Sequence, residues 1–410
     1  MPVTNWGGNV TFGAATVRAP ESVAELAELI TAAERVRVLG TGHSFNRIAD
    51  TDGILVSLSR LPASLSVAPD RGTVRVGAGM TLARLADGLH RAGLALPTMP
   101  SLPHITVAGA CATATHGSGD SVGTLASAVR AVRLLNSAGS PVEVAEPDPD
   151  FGGVVVSLGA LGVVTELELA VQPGYEIAQR VYDGLAWDAL VEQVDDILAS
   201  AYSVSVFTTI AGPSRVWVKR RAGDPEVALP GVRPADGAQH PVRGADPINC
   251  TDQSGAPGPW HQRLPHFRAE FAPSTGAELQ SEFLVGRADA AHALRALKEL
   301  AALIVPVALT IEVRSVGPEE HWLSSSYRRP SVGLHFTWRP DPAAVWPVLT
   351  RVEHALRPLR PRPHWGKLFT ASAAELSTRY PRWPDFRALR QRLDPAHRFG
   401  NLMLDGYFPA

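Results

Sequence analysis

From Ser22 the apolar residues return every three or four positions, with Val23, Leu26, Ala27 and Ile30 on one face. Ser22 and Glu25 open the run as an S-x-x-E capping box, so a helix is expected to about Glu34. The period then falls to two. Val36 and Val38 alternate with Arg35 and Arg37, which predicts a short half-buried strand, preceded by a strand-like start around residues 9–12 and followed by a strand over 54–58. Residues 65–67 and 73–76 read as a hairpin closed by P-D-R-G, and Thr81 caps a helix ending near Gly93. Strands return at 129–135 and 163–171. The second follows F-G-G-V-V-V-S-L-G-A-L-G from Phe151, a buried helix joined to a strand through Gly159 and Gly162. Strands and helices alternating in this way argue for a mixed α/β domain.

From about Gly174 the units lengthen: strands over 203–209 and 216–219, and a helix over 287–303 carrying Leu294, Leu297 and Leu300. These predict a second domain. Residues 222–265, rich in proline and glycine, read as loops across the surface or over a site. After Arg362 a helical tail ends in L-D-P-A-H-R-F-G-N, and no internal repeat or clear linker interrupts the chain.

Two loops carry candidate chemistry. Residues 36–46, V-R-V-L-G-T-G-H-S-F-N, run a strand into a glycine loop with His43 at its tip. On these residues alone His43 is an ordinary turn residue, a metal ligand or a cofactor attachment point. Residues 100–119, P-S-L-P-H-I-T-V-A-G-A-C-A-T-A-T-H-G-S-G, are nearly free of charge and dense in small residues, which suits backbone packed against a large ligand. Together the two loops resemble the vanillyl-alcohol-oxidase type of FAD enzyme. The run N-C-T-D-Q-S-G-A-P-G-P-W-H-Q-R-L-P-H-F-R from Asn249 is similar to bacterial alditol oxidases and narrows the resemblance to that subgroup.

Composition fits small-molecule chemistry. At 410 residues the chain exceeds one core, and a net charge of -2 spread along it offers no basic stripe for nucleic acid. Cys111 and Cys250 lack a C-x-x-C spacing and read as buried thiols, with neither a disulfide framework nor a zinc site implied. The start M-P-V-T-N-W-G-G-N has no signal-peptide character, and no apolar stretch is long enough to span a bilayer, so an intracellular, cytoplasmic protein without a membrane or metal partner is expected. A monomer is the expected state. No G-x-G-x-x-G after a strand, Walker sequence, H-E-x-x-H or G-x-S-x-G elbow is present, which removes the commonest rival enzymes.

Three short elements of the second half complete the pattern. I-E-V-R-S-V puts Glu312 and Arg314 on one face of a strand, L-H-F-T-W does the same for His335 and Thr337, and P-H-W-G-K supplies Lys367. Taken singly, each is an ordinary surface ion pair or a satisfied polar residue at a sheet edge. Jointly they resemble the substrate wall of alditol oxidases.

That resemblance implies an α+β chain with a two-domain PCMH-type FAD-binding fold: flavin domain 1–173, substrate (cap) domain 174–370, and a C-terminal segment 371–410 returning to the flavin domain. It implies FAD attached covalently through His43, flanked by Gly40, Thr41, Gly42, Ser44, Phe45 and Asn46, with backbone N–H groups of the loop forming an anion nest for the diphosphate. Ser101, Thr106, Gly109, Thr113, His116, Gly162 and Val163 would line the cofactor. The implied reaction oxidises a terminal CH2OH of a polyol such as xylitol or sorbitol, with hydride passing to flavin N5 and oxygen reduced to peroxide. Arg314, oriented by Glu312, would polarise the hydroxyl, Lys367 would stabilise charge on the flavin N1 and O2 side, and the proton would go to water or to a neighbour, for which His335 is the candidate. Ser101 and Thr337 would bind the remaining hydroxyls. An aldonolactone oxidase or dehydrogenase of the same superfamily is the alternative. Pro100, Thr106 and Ala114 stand where the alditol oxidase pattern has alanine, serine and glycine; proline at the first position accompanies oxidases in the wider family and favours oxygen as acceptor.

Overall fold

The computed structural model describes residues 3–14, 16–271 and 278–409. Its first half holds a three-stranded and a five-stranded sheet, with a two-stranded pair, Leu94–Ala95 and Gln172–Pro173, besides. Strands Thr16–Arg18, Ile54–Val56 and Val36–Val38 form a parallel sheet with Ile54–Val56 in the middle. Helix Val23–Ala32 buries Leu26 and Ile30 in the same cluster as Val36 and Val56. Ser22 Oγ accepts from the Glu25 N–H as the sequence predicts, but the Glu25 carboxylate takes the Glu21 N–H, one residue outside the expected box. The second sheet is antiparallel, in the order Leu65–Val67, Thr73–Gly77, Val163–Ala170, Val129–Leu135, Pro141–Ala145. The expected strand near residues 9–12 is only a single antiparallel bridge between Thr4 and Thr11.

The second half is built on a nine-stranded sheet. Its central order is Glu176–Leu185, Ser214–Arg221, Ser203–Thr208, Ala308–Val316, Ser331–Trp338, Leu279–Gly286, all neighbours antiparallel. Alternation along these strands gives the sheet two unlike faces. Val204, Val206, Ile311, Val313, Phe283, Val285, Leu334 and Phe336 are fully buried and share a core with Leu190, Ile197, Leu294, Leu297, Leu349 and Val352 of the covering helices. The opposite face carries Gln280, Glu282, Glu312, Arg314, His335 and Thr337. Burying the first face leaves the second free for a site. The expected helix over 287–303 is broken into Ala290–Glu299 and Ala301–Ile304, because Leu300 leaves helical backbone at ψ 6. Residues 222–265 are not all loop: Arg233–Pro234 and Ser254–Pro259 both pair with Glu176–Leu185 on the side away from Ser214–Arg221.

The C-terminal helices Ala373–Ser377, Trp383–Leu393 and Leu402–Tyr407 bring the chain end back to the parallel sheet. Val36 N–H donates to Arg398 O at 2.9 Å, and the Asn401 amide donates to the carbonyls of Arg47, Ile48 and Asp50. The architecture is α+β. It places the glycine loop of the first half opposite the polar sheet face of the second.

Candidate active site

Between these two surfaces lies a cavity of about 410 Å³. The strand Val36–Val38 ends in the loop that forms one wall, where Gly42 has φ 72 and a side chain on Gly40 would meet Thr106 Oγ1 at 2.6 Å. Among the described residues, the backbone N–H groups of Gly40, Thr41, Gly42, His43 and Ser44 donate to no protein acceptor. Successive free N–H groups on a glycine turn are an anion-binding device. The His43 ring stacks on Trp6 at 4.9 Å; Nδ1 bonds Thr41 Oγ1 at 3.0 Å, and Nε2 is buried without a partner. Burial, with His104 nearby, pushes the His43 imidazole down to about 4, so it is neutral. Behind the loop, Thr106 starts the helix Val107–Ala112, and Gly109, Thr113 and His116 follow along the wall.

The opposite wall is the polar sheet face. Pairing across three strands aligns Glu282, His335 and Glu312 on one rung, with Gln280, Thr337 and Thr310 on the next. Arg314 stands two residues beyond Glu312. Its Nε and Nη2 donate to Glu282 Oε1 at 3.2 and 3.0 Å, and its Nη1 lies 3.4 Å from Ser101 Oγ and 3.5 Å from Glu312 Oε2. Lys367 Nζ donates to Glu282 Oε2 at 2.6 Å. Glu282 therefore ties both cations, and it is 0% exposed. Burial alone would push its carboxyl up, but Arg314, Lys367 and His116 hold it well below the usual carboxylate range. For Glu312 burial is likewise overcome, by Arg314 and by hydrogen bonds from His266 and His335. Lys367 is lowered by burial, an effect that Glu282 opposes. His335 is pushed down to about 4 by burial and by Lys367; Nδ1 bonds Glu312 Oε2 at 3.3 Å, which makes Nδ1 the donor and leaves Nε2 as a lone pair with no partner.

A buried pair of cations on a shared carboxylate, facing a nest of free N–H groups, is a site for moving negative charge. The comparisons with known proteins agree with that chemistry. The chain matches the FAD binding domain family over residues 14–145 and the D-arabinono-1,4-lactone oxidase family over residues 277–407. An alditol oxidase from a Streptomyces species is 50% identical over 98% of this chain and 98% of its own length. The chain belongs to the alditol oxidase family. An L-gulono-1,4-lactone dehydrogenase of Mycobacterium tuberculosis is 28% identical, covering 97% of both chains. Among solved structures, a cholesterol oxidase from Brevibacterium sterolicum superposes with a TM-score of 0.83 at 15% identity, covering 100% of this chain and 97% of that one, a likeness in fold.

The residues present fit the FAD that this family's binding domain takes. The free N–H groups of the 40–44 loop suit a diphosphate, Gly40 and Gly109 leave no room for a side chain beside Thr106, and two of the buried nitrogens without a partner, His43 Nε2 and His335 Nε2, belong to imidazoles on the wall. The structure brings to the cavity Gly40, Thr41, Gly42, His43, Ser44, Asn46, Ser101, Thr106, Gly109, Thr113, His116, Gly162, Glu312, Arg314, His335, Thr337 and Lys367. Phe45 and Val163 do not reach it. The Phe45 ring is buried edge-on to Trp6, with its N–H taken by Gly366 O at 2.7 Å, and Val163 faces the cluster beneath the parallel sheet. Ala114 also points away, into the core, although its φ of 53 is the left-handed backbone that a glycine adopts without strain. Glu312 is not the main partner of Arg314; Glu282 is. Sequence reasoning missed Glu282, Gln280, Thr310, His266 and His364. For Glu282 the signal was there: a charged residue alternating with Phe283 and Leu279 in a strand that otherwise reads as core.

Proposed function

We propose that the chain is an FAD-dependent alditol oxidase, converting the terminal primary hydroxyl of a polyol such as xylitol or sorbitol to the aldose, with oxygen as final acceptor and hydrogen peroxide released. The observation that carries this reading is the Glu282-centred pair Arg314 and Lys367, set on the polar sheet face opposite the His43 loop. Bound FAD supplies the hydride acceptor. His43 is the residue that tethers it, supported by the neutral imidazole in the loop, and the domain roles follow, with 1–173 holding the cofactor, 174–370 covering the substrate and 371–410 closing the cofactor half.

The chain's own groups divide the remaining work. Arg314, permanently protonated, donates to the reacting hydroxyl oxygen and stabilises it as its proton leaves. His335, neutral and with a bare Nε2, accepts that proton. Lys367, on the cavity wall, would supply positive charge to the cofactor as it gains electrons. Ser101, Thr337, Gln280 and Thr310 offer donors and acceptors along the rest of a hydroxylated chain, which is what fixes a flexible polar substrate. A cytoplasmic monomer completes the reading.

The lactone-oxidase match over residues 277–407 favours one rival substrate, an aldonolactone. Anaerobic addition of xylitol or sorbitol should bleach the flavin absorbance, and admitting air should restore it with release of peroxide. Bleaching by an aldonolactone alone would overturn the polyol reading.

A further inference from the structure

The L-P-H-F-R motif reaches the site from behind. His266 is buried between Phe207 and Trp217, whose rings meet it edge-on at 5.3 and 5.0 Å. The backbone N–H groups of His266 and Phe267 both donate to Ser101 O at 3.2 Å, and Thr251 N–H donates to His266 O at 2.9 Å, which fixes the main chain that carries the ring. Its Nε2 faces Glu312 Oε1 at 3.0 Å. Its Nδ1 faces Lys219 Nζ at 3.1 Å, and the same amine donates to Leu264 O. Lys219 is 1% exposed, and among the described residues it has no carboxylate within 4.0 Å. A buried amine with no acid partner needs a reason to be there.

The reason lies in donors and acceptors. Glu312 as a carboxylate only accepts, so the one proton of a neutral His266 sits on Nε2 and Nδ1 presents its lone pair to Lys219. Burial pushes the Lys219 amine down to about 7, against the pull of Glu312, and in its protonated form it has only hydrogens to offer Nδ1. A carboxylate receiving that bond on Oε1 keeps Oε2 for the Nδ1–H of His335. The cation also opposes a second proton on His266, which burial and Lys219 together push down to about 4, against the pull of Glu312. Arg314 is the other charged group acting on the ring, in the same direction.

We infer that Lys219 and His266 are positioning residues for the proton-accepting side of this site. Lys219 holds His266 neutral with its proton on Nε2. His266 in turn keeps Glu312 an acceptor, so that His335 carries its proton on Nδ1 and leaves Nε2 bare. The inference rests on the proposed role of His335. The probe of protonation does not depend on substrate.

The test has two arms on the flavin-loaded protein. In the first, imidazole nitrogen shifts are read by NMR on histidine-labelled protein near pH 7. His266 should be neutral with a bare Nδ1, and in Lys219→Met it should take its second proton at a higher pH than in the parent, read by repeating the spectra down to pH 5. An unchanged His266 titration in Lys219→Met, or a protonated Nδ1 in the parent, would overturn the inference. In the second arm, flavin reduction by saturating xylitol is followed without oxygen. Lys219→Met should slow it roughly tenfold, with the half-saturating xylitol concentration held within about twofold, since the altered bond is charge-assisted and lies away from the polyol contacts. Glutamine at 266 keeps a donor and cannot take a second proton, so in a His266→Gln background the lysine change should add nothing. A further drop there would show Lys219 acting by another route and sink the inference, as would a slowing of Lys219→Met that merely follows a fall in melting temperature. If xylitol does not reduce the parent at all, the polyol reading fails, and the nitrogen shifts still decide the lysine–histidine link.

Discussion

Glu282→Gln is the sharpest perturbation of this site, because one buried carboxylate serves two cations. Arg314, Lys367, Glu282 and Glu312 sum to zero charge, two positive against two negative, and the substitution leaves a buried excess of one positive charge. Arg314 would lose its charge-assisted bonds at 3.0 and 3.2 Å and keep Ser101 Oγ at 3.4 Å and the Glu312 carboxylate at 3.5 Å, whereas Lys367 would lose its carboxylate at 2.6 Å outright. Removing one partner of a buried ion pair costs about 3–5 kcal/mol. For a 410-residue chain melting as one unit, the entropy of unfolding converts that to a fall of about 4–6 °C. Lys367, already lowered by burial and held up by Glu282, would move further down without that carboxylate. Losing one well-placed charged donor typically slows chemistry about 100- to 1,000-fold, and anaerobic stopped-flow bleaching by xylitol should show a loss of that size. Glu320→Gln is the control: Glu320 pairs with Arg328 at 2.6 Å on the surface, and its loss should shift neither readout measurably. Parental reduction rates in Glu282→Gln would refute the assignment of Glu282 as the shared counter-ion.

His43→Ala should release the flavin to acid or denaturant while the parent keeps it, read from the absorbance of the precipitated protein; a parent that also loses its flavin would end the tether assignment. Arg314→Lys keeps the charge but loses the two-pronged contact with Glu282, and should slow flavin reduction about 100-fold at unchanged flavin content, because lysine cannot reproduce the planar fork. Stability should fall as the solution is acidified from about pH 6.5 to about pH 4. His266 and His335 titrate near 4 when folded against 6.5 when free, so the unfolded chain binds more protons in that window and is favoured as pH drops. Each imidazole contributes up to about 3 kcal/mol, present in full above the window, and a denaturant midpoint that stays flat between pH 7 and pH 5 would contradict it.

The elements most legible in the sequence were those whose function depends on local spacing. Glu312 with Arg314, and His335 with Thr337, are two residues apart, and any strand puts such pairs on one face whatever its neighbours. The His43 loop was readable for the same reason, as its glycines and its histidine are contiguous. What escaped depends on register. Gln280 and Glu282 lie in a strand with the same alternation, yet only the pairing of Leu279–Gly286 with Ser331–Trp338 sets Glu282 beside His335, and nothing local encodes that pairing. His266 sits in a loop without period. Phe45 and Val163 neighbour residues of the wall in sequence, but the Phe45 ring turns in against Trp6 and strand alternation turns Val163 into the core.

Arg37 shows how far the site's rigidity comes from distant chain. Its position between two valines reads as the wet side of a half-buried strand, yet it is only 4% exposed, and its guanidinium donates to the carbonyls of Gly159, Phe399, Ile48 and Leu158. Burial lowers it to about 9, still charged at neutral pH. One side chain thus fastens the root of the His43 loop to the turn before the strand Val163–Ala170, to the turn after Asn46 and to the returning C-terminal segment. Asn46 does the same at the other end of the loop: its Oδ1 accepts the Ile48 N–H, and its amide donates to Trp365 O at 2.8 Å and Lys367 O at 2.7 Å. The loop that carries His43 and the loop that carries Lys367 are therefore held together by the Asn46 amide and by the Phe45 N–H on Gly366 O. A shift of one loop carries the other with it, which keeps the proposed tether and the cation at a fixed separation across the cavity, as a charge-stabilising site requires.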